Sequence, residues 1–393
     1  MTERLYYDDC YLRDFEARVI EVTDDGRHVY LDRTAFYPAS GGQPFDLGTL
    51  GGIAVREVVD DEDHRIGHIL ESPLAASENA IQGRVDWARR WDHMQQHTGQ
   101  HLLSAVLIEL YDIPTVSFHM SAASSTIDIG APALDPKRAE RVEERCSEII
   151  AEARPVTITY ENSSADLGLR KASARSGTLR IVSIERLDRS ACGGTHVRST
   201  AELGPILIRK IDKIRGNARI EFVCGLRALR TARRDFLGLS EISRIVSVPV
   251  EEAAAVVAAQ VERGKAFEKT CQRLASELAK REGRELYETT ASGPDGIRRV
   301  TERGEIDDAM RARARAFISG SKAVFIAIST DPPSILVAAS PDSGVHAGER
   351  VKAAVTAAGG RGGGNQALAQ GSVPSAALLP DVEKAIQAAN ARE

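Results

Sequence analysis

His97-Thr98-Gly99-Gln100-His101 is answered about ninety residues later by Cys192-Gly193-Gly194-Thr195-His196. Each stretch places two metal-type side chains four residues apart. Positions i and i+4 share one face of an α-helix. The run after His101, with Leu102, Leu103, Ala105, Val106, Leu107 and Leu110, keeps a helical apolar period. His97 and His101 therefore project side by side from a buried helix. Around Gly193-Gly194 the flanking apolar and β-branched residues predict a strand–turn–strand edge carrying a thiolate and an imidazole. Three imidazoles and one thiolate make a first-row metal set, with zinc, one per chain, as the default ion. His93, one turn before His97, and His119, soon after the helix, are rivals read as supporting or surface histidines.

The whole chain bounds these readings. Its 393 residues suffice for two to four domains. No run of eighteen apolar residues predicts a membrane span, and Met1-Thr2-Glu3-Arg4-Leu5-Tyr6 lacks the apolar core of a signal peptide. Five scattered cysteines suit a reducing compartment, so a cytoplasmic protein with no membrane partner is expected. With a net charge of −5, any nucleic-acid site must be a local patch. One such patch stands out. Arg209 to Arg234 holds nine Lys and Arg, among them Lys210, Lys213 and Arg215, against Asp212 and Glu221. That run reads either as a solvated face or as a phosphate-contacting surface.

Taken in order, the chain reads as an α+β protein in four parts. Residues 1–85 alternate apolar and polar between Gly- and Asp-rich turns, predicting a small N-terminal β-barrel. Phe15–Val22 and Val29–Asp32 are two of its strands, joined by an Asp24-Asp25-Gly26 turn. Within it, Phe36-Tyr37-Pro38-Ala39-Ser40-Gly41-Gly42-Gln43 carries adjacent glycines that allow a sharp bend or close approach to a ligand. Residues 86–230 form an α+β metal domain. A helix runs from Trp87 to Leu110, stopped by Tyr111-Asp112-Ile113-Pro114. Strands follow at Thr115–Met120 and Ser125–Ile129, then a helix over Asp135–Ala153 with Cys146 in its core. Strands at Val156–Tyr160, Leu179–Ile184, Ile206–Ile208 and Arg219–Val223 are expected to share one sheet. Residues 231–290 read as a helical arm with coiled-coil-like spacing, broken at Val248-Pro249. Residues 291–393 read as a separate α/β unit with buried strands Ala323–Ile328 and Ser334–Ala339 and a final helix over Leu379–Ala391. Its glycine cluster, Gly359-Gly360-Arg361-Gly362-Gly363-Gly364, is either a phosphate cradle or a plain loop.

These motifs fall in an order that resembles the editing region of alanyl-tRNA synthetase. The tail, Gly359 to Gly371, resembles the glycine-rich (DHHA1-like) domain shared by that synthetase and DHH-type phosphoesterases. No aminoacylation domain precedes Met1, so the chain resembles a free-standing alanyl-tRNA editing protein of the AlaX group in its long form. The resemblance implies hydrolysis of mischarged tRNA(Ala), chiefly Ser-tRNA(Ala) and also Gly-tRNA(Ala), protecting translation fidelity. It implies zinc on His97, His101, Cys192 and His196, and tRNA contacts at Gly41 and Gly42 and in the tail at Gly362, Gly363 and Gly364; the basic run, where it is not simply solvated, adds Lys210, Lys213 and Arg215. Rejecting alanine demands a group that hydrogen-bonds the serine hydroxyl. Gln100, Ser117 and Thr115 are the candidates for that catalytic pocket, Ser117 first by position. Two alternatives stay open, a tRNA-binding module with a structural zinc and a zinc hydrolase of another nucleotide ester. The arm and the C-terminal unit also offer surfaces for a homodimer.

Overall fold

The computed structural model describes residues 1–388 except 62, 76–79, 164–166 and 173–175. The chain divides into two compact units, Met1–Glu241 and Ile242–Glu393.

The first unit opens with a closed six-stranded barrel. Its strands are Asp14–Thr23, His28–Leu31, Ile66–Leu70, Ile53–Asp60, Gly48–Leu50 and Ala80–Val85, in order around the barrel. Alternation turns Phe15, Ala17, Val29, Leu31, Leu50, Val58, Ile66 and Ile81 inward as its core.

Helix α1, Trp87–Tyr111, follows directly. The Asp86 side chain accepts from the Arg89 amide at its start, and Asp112 closes it in the left-handed region before Pro114. α1 is buried on nearly all sides from His93 to Leu107, which explains why its apolar stripe is wider than a surface helix needs. It packs against α2 (Pro136–Ala151) and against a four-stranded sheet ordered Ile206–Ile214, Asn217–Cys224, Ser125–Ile129, Thr115–Met120. Leu102, Leu103, Val106, Ile127, Val142, Cys146 and Phe222 meet in one core.

Two expectations are corrected here. The strands Val156–Asn162 and Thr178–Ile184 do not join that sheet. They form a separate three-stranded sheet with Asp188–Ala191, a strand the sequence pattern did not separate from its neighbour. Only four residues long, Asp188–Ala191 carries too little period-2 signal to stand out. The helical arm also starts earlier than residue 231. α3 spans Gly225–Val246, so the 230/231 boundary falls inside a helix, and the break lies at Val248-Pro249 as read.

In the second unit α4 covers Val250–Thr289. A five-stranded sheet runs Arg298–Arg303, Ala323–Thr330, Pro333–Ala339, Leu368–Ser372, Arg361–Gly364, with one parallel pair at its first edge. α4 and α5 (Asp308–Phe317) cover one face, where Phe317, Phe325 and Leu336 pack. α6 (Ala347–Ala357) and α7 (Leu379–Ala388) cover the other, Val351 of α6 packing with Val324, Ile326 and Val337. With both faces covered, Ala323–Ile328 reads as a continuous apolar run. The expected extension of the last helix to Ala391 lies outside the described residues. The glycine cluster is an edge strand paired in register with Leu368–Ser372, Gly362 opposite Gly371, rather than a loop. No helix among the described residues is long and apolar enough to cross a membrane.

One buried ion pair ties the barrel to α1. Arg90 and Asp46 are both fully buried and paired, the Asp46 carboxylate lying 3.0 Å from Arg90 Nε. Arg90 also donates to the carbonyls of Cys10 and Ala35 at 2.9 and 2.5 Å, and Asp46 accepts from the Tyr37 amide at 2.7 Å. Removing one partner strands a charge without water. Asp46→Ala should lower stability by about 3–5 kcal/mol, while Asp46→Leu with Arg90→Met should recover most of it. An unchanged denaturation midpoint for Asp46→Ala would contradict this assignment.

Candidate metal centre

Each metal-type side chain arrives on a different support. His97 and His101 leave the same face of α1, their rings 5.4 Å apart. Cys192 follows the strand Asp188–Ala191, and His196 lies four residues on in irregular chain. The predicted second strand of this edge is absent. From Thr195 to Val197 the chain is tied to side chains instead of a ladder: the Thr195 amide donates to Gln43 Oε1 and the Val197 amide to Thr98 Oγ1. The segment then enters a short 3₁₀ turn at Thr200–Leu203.

The ligand atoms of His97, His101, Cys192 and His196 all lie within 4.8 Å of one another. In each histidine Nδ1 is engaged away from the centre. His97 Nδ1 lies 2.7 Å from Gln43 Oε1, His101 Nδ1 2.9 Å from Asp188 Oδ2, and His196 Nδ1 3.0 Å from Thr98 Oγ1. Gln43 Nε2 donates to Thr195 Oγ1 at 2.8 Å, which fixes the amide and makes Oε1 an acceptor for His97 Nδ1–H. Nε2 then carries the lone pair for a metal. Cys192 Sγ stands 3.4 Å from His97 Nε2 and 3.3 Å from His196 Nε2. Tetrahedral coordination by one thiolate and three imidazoles asks for about 3.5 Å between sulfur and nitrogen. The donor set therefore fits a metal ion, and it is the one such cluster among the described residues.

The electrostatics favour the thiolate, while at His101 a metal must displace the second proton. Burial opposes a thiolate at Cys192, yet the neighbouring imidazoles of His97, His196 and His101 hold its pKa well below the usual thiol range. Burial would lower His101, but the Asp188 carboxylate and Cys192 raise it to about 9. Burial drives His196 down to about 3. Asp188 is fully buried. His101 and Arg170 keep its pKa below the ordinary carboxylate value against the cost of burial.

Gly42 and Gly194 make the close approaches possible. Gly42 has φ +85°, and a Cβ there would meet the Phe118 carbonyl at 2.7 Å. Its own carbonyl accepts from the Met120 amide at 2.9 Å, docking the Gly41-Gly42 turn on strand Thr115–Met120 and delivering Gln43 to His97. A Cβ at Gly194 would lie 2.1 Å from His97 Cε1. Arg180 holds this loop by donating to the carbonyls of Cys192 and Gly194 at 2.7 and 3.0 Å.

A cavity of about 1040 Å³ opens over the cluster, lined by His97, His101 and Cys192 together with Gln100, Thr115, Ser117, Phe118, Tyr7 and Gly41. Thr115 Oγ1 and Gln100 Nε2 both donate to Ser104 Oγ, at 2.6 and 2.8 Å. The Ser117 hydroxyl is exposed and donates to Asp128 at 2.7 Å. Lys210, Lys213 and Arg215 stand exposed on or beside strand Ile206–Ile214, and they do not line this cavity. His119 is exposed, while His93 is buried in another pocket. Sequence reasoning missed Gln43 as the support of His97 and missed Asp188, Thr98 and Arg180 altogether. The one signal available was an acid, Asp188, four residues before Cys192.

The comparisons join this geometry to known proteins. Residues 179–221 match the family described as threonyl and alanyl tRNA synthetase second additional domain, and residues 300–392 match the DHHA1 domain. The alanyl-tRNA editing protein AlaX-L of Pyrococcus horikoshii is 32% identical over 389 residues, covering 95% of each chain. The mouse alanyl-tRNA editing protein Aarsd1 is 30% identical over 307 residues, 72% of this chain and 74% of its own. The alanine–tRNA ligase of Pyrococcus abyssi is 30% identical over 419 residues, 98% of this chain but 43% of the ligase. Fold and site thus define a synthetase-type editing domain joined to a DHHA1 domain. The chain belongs to the family of alanyl-tRNA editing proteins, and is a hydrolase of that type.

Asp188→Asn weakens the acceptor for His101 Nδ1–H without altering volume. It should lower metal affinity by about 10–100-fold, read by competition with a chromogenic chelator. Unaltered affinity would mean that Asp188 does not orient His101.

Proposed function

We propose that the chain deacylates mischarged Ser-tRNA(Ala), and Gly-tRNA(Ala) alongside it, with one zinc ion on His97, His101, Cys192 and His196. The observation that carries this reading is the joining, in one cavity, of the metal-donor cluster to unfilled hydrogen-bond acceptors on Thr115 and Gln100. Zinc bound there would supply Lewis-acid polarisation of the ester carbonyl. Everything else falls to the chain's own groups. Thr115 Oγ1 gives its proton to Ser104, so its lone pairs face a substrate hydroxyl as acceptors. Gln100 likewise spends Nε2 on Ser104 and keeps Oε1. A seryl hydroxyl satisfies these acceptors, and an alanyl methyl leaves them unpaired, which is where discrimination of serine from alanine arises; it does not select glycine. Ser117, committed to Asp128, serves the cavity rim. Phe118, stacked on His97 with ring centroids 5.3 Å apart, provides an apolar wall.

For the tRNA itself we assign backbone contacts to Lys210, Lys213 and Arg215 and to the edge strand at Gly362, Gly363 and Gly364. The Gly41-Gly42 turn at the cavity would hold the terminal nucleotide. The exposed apolar side chains of Phe267, Leu274 and Leu278 on α4 support a homodimer.

The test compares release of serine from Ser-tRNA(Ala) with release of alanine from Ala-tRNA(Ala). The wild type should favour serine by on the order of 100-fold or more, and Thr115→Val should erode that ratio. Cys192→Ala should lose both zinc and activity. Tight tRNA binding without turnover would contradict the reading and make the metal structural.

A further inference from the structure

One full turn of α1 before His97, a second pocket opens, about 450 Å³ in volume. Its lining is unlike that of the metal cavity. Arg89, Arg227, Arg230 and Arg234 surround it, with Asp92 as the sole acid among the described residues, and His93 forms part of its wall. All belong to the first unit.

The four arginines are not equivalent. Arg227 is spent on structure: it grips Asp92 through two nitrogens and donates to the Ser121 carbonyl at 2.9 Å. Arg89 donates from Nε to the Phe45 carbonyl at 3.0 Å and keeps its terminal nitrogens. Arg230 and Arg234 lie four apart on α3, so their guanidinium groups leave the same face. Both are exposed, and neither has an acidic partner among the described residues. Asp92 therefore neutralises Arg227, and three positive charges remain around one concavity.

His93 is the second, independent sign. The residue is 3% exposed, and its Nδ1 is buried without a hydrogen-bond partner among the described residues. A buried polar atom left unpaired costs free energy comparable to a lost hydrogen bond, so its place beside a ring of arginines calls for an explanation. Burial, reinforced by Arg89 and Arg227, pushes the imidazole pKa down to about 3. It is neutral, and as the Nδ1–H tautomer it would donate to an anion without adding charge.

We infer that this pocket binds a phosphate group, taken from the phosphodiester backbone of the RNA substrate. The ligand class follows from the donors: fork-shaped guanidinium groups and one neutral N–H suit a tetrahedral oxyanion. The source follows from position. Two elements connect the pocket to the metal cavity. α1 carries His93 in one and His97 in the other, about 6 Å apart along the helix axis. The strand Thr115–Met120 lines the metal cavity, and the turn after it supplies Ala122 and Ala123 to the pocket. A strand of RNA whose aminoacyl end occupies the cavity meets Arg230 and Arg234 within its last few nucleotides. The inference rests on the editing function proposed above for the choice of RNA as the source.

The experiment measures binding of fluorescently labelled, uncharged tRNA(Ala) to the full chain, so that its outcome does not depend on deacylation. Arg230→Ala with Arg234→Ala should weaken binding about tenfold or more and make the slope of log K against log salt shallower by about 2. A control pair removing the same charge elsewhere, Lys137→Ala with Lys384→Ala, should weaken binding far less. His93→Phe, which keeps bulk and removes Nδ1, should weaken binding with no change of slope. Inorganic phosphate should compete with tRNA on the wild type and lose that effect in the Arg230/Arg234 variant. Equal effects of the arginine and control pairs would overturn the pocket while leaving the editing function standing. If the wild type binds inorganic phosphate through these arginines but not tRNA, the RNA source is overturned.

Discussion

Everything at the metal centre depends on where three imidazole Nδ1 atoms are held. A histidine offers a metal one nitrogen only if the other is occupied in the right direction. Here the occupants come from three parts of the fold. Gln43 is delivered by a turn between barrel strands, Asp188 by the start of the third strand of a three-stranded sheet, and Thr98 by α1 itself. The four donors converge only when barrel, helix and sheet are all assembled. The buried Arg90–Asp46 pair serves the same end, because it fastens the barrel loop holding Tyr37 to the first turns of α1.

That dependence also explains how much was legible in the sequence. The barrel, the main helices and the four metal-type residues follow from periodicity, turn residues and spacing. Local pattern carries them: the barrel and helices form as read, and the four side chains come together. The supports do not have local pattern. Gln43 is 54 residues from His97, and Asp188 is 87 residues from His101. Beyond the placing of an acid, Asp188, four residues before Cys192, nothing in a one-dimensional reading marks them as partners. The strand–turn–strand expectation at Gly193-Gly194 failed for a related reason. Thr195 and Val197 look like strand residues, yet their amides are claimed by Gln43 and Thr98. In the glycine run at Gly362 to Gly364, composition suggested a loop, while register against Gly371 made it a strand.

The cavity over the metal centre and the arginine pocket share α1 and the strand Thr115–Met120 with its following turn. One end of this framework presents a thiolate, imidazoles and neutral acceptors. The other presents uncompensated cations. An aminoacyl ester at the end of a polyanion has the same division, a small polar group at its tip and charge behind it. The chain's net charge of −5 makes the local excess of arginine more telling, since it is concentrated where α1 and α3 meet.

The most direct test of the account is X-ray absorption at the zinc edge on the purified full chain, with Cys192→Ala beside it. The account predicts one zinc per chain with one sulfur and three nitrogens around it, and loss of the sulfur in the variant. A shell without sulfur, or a protein that binds no zinc while folded, would contradict it.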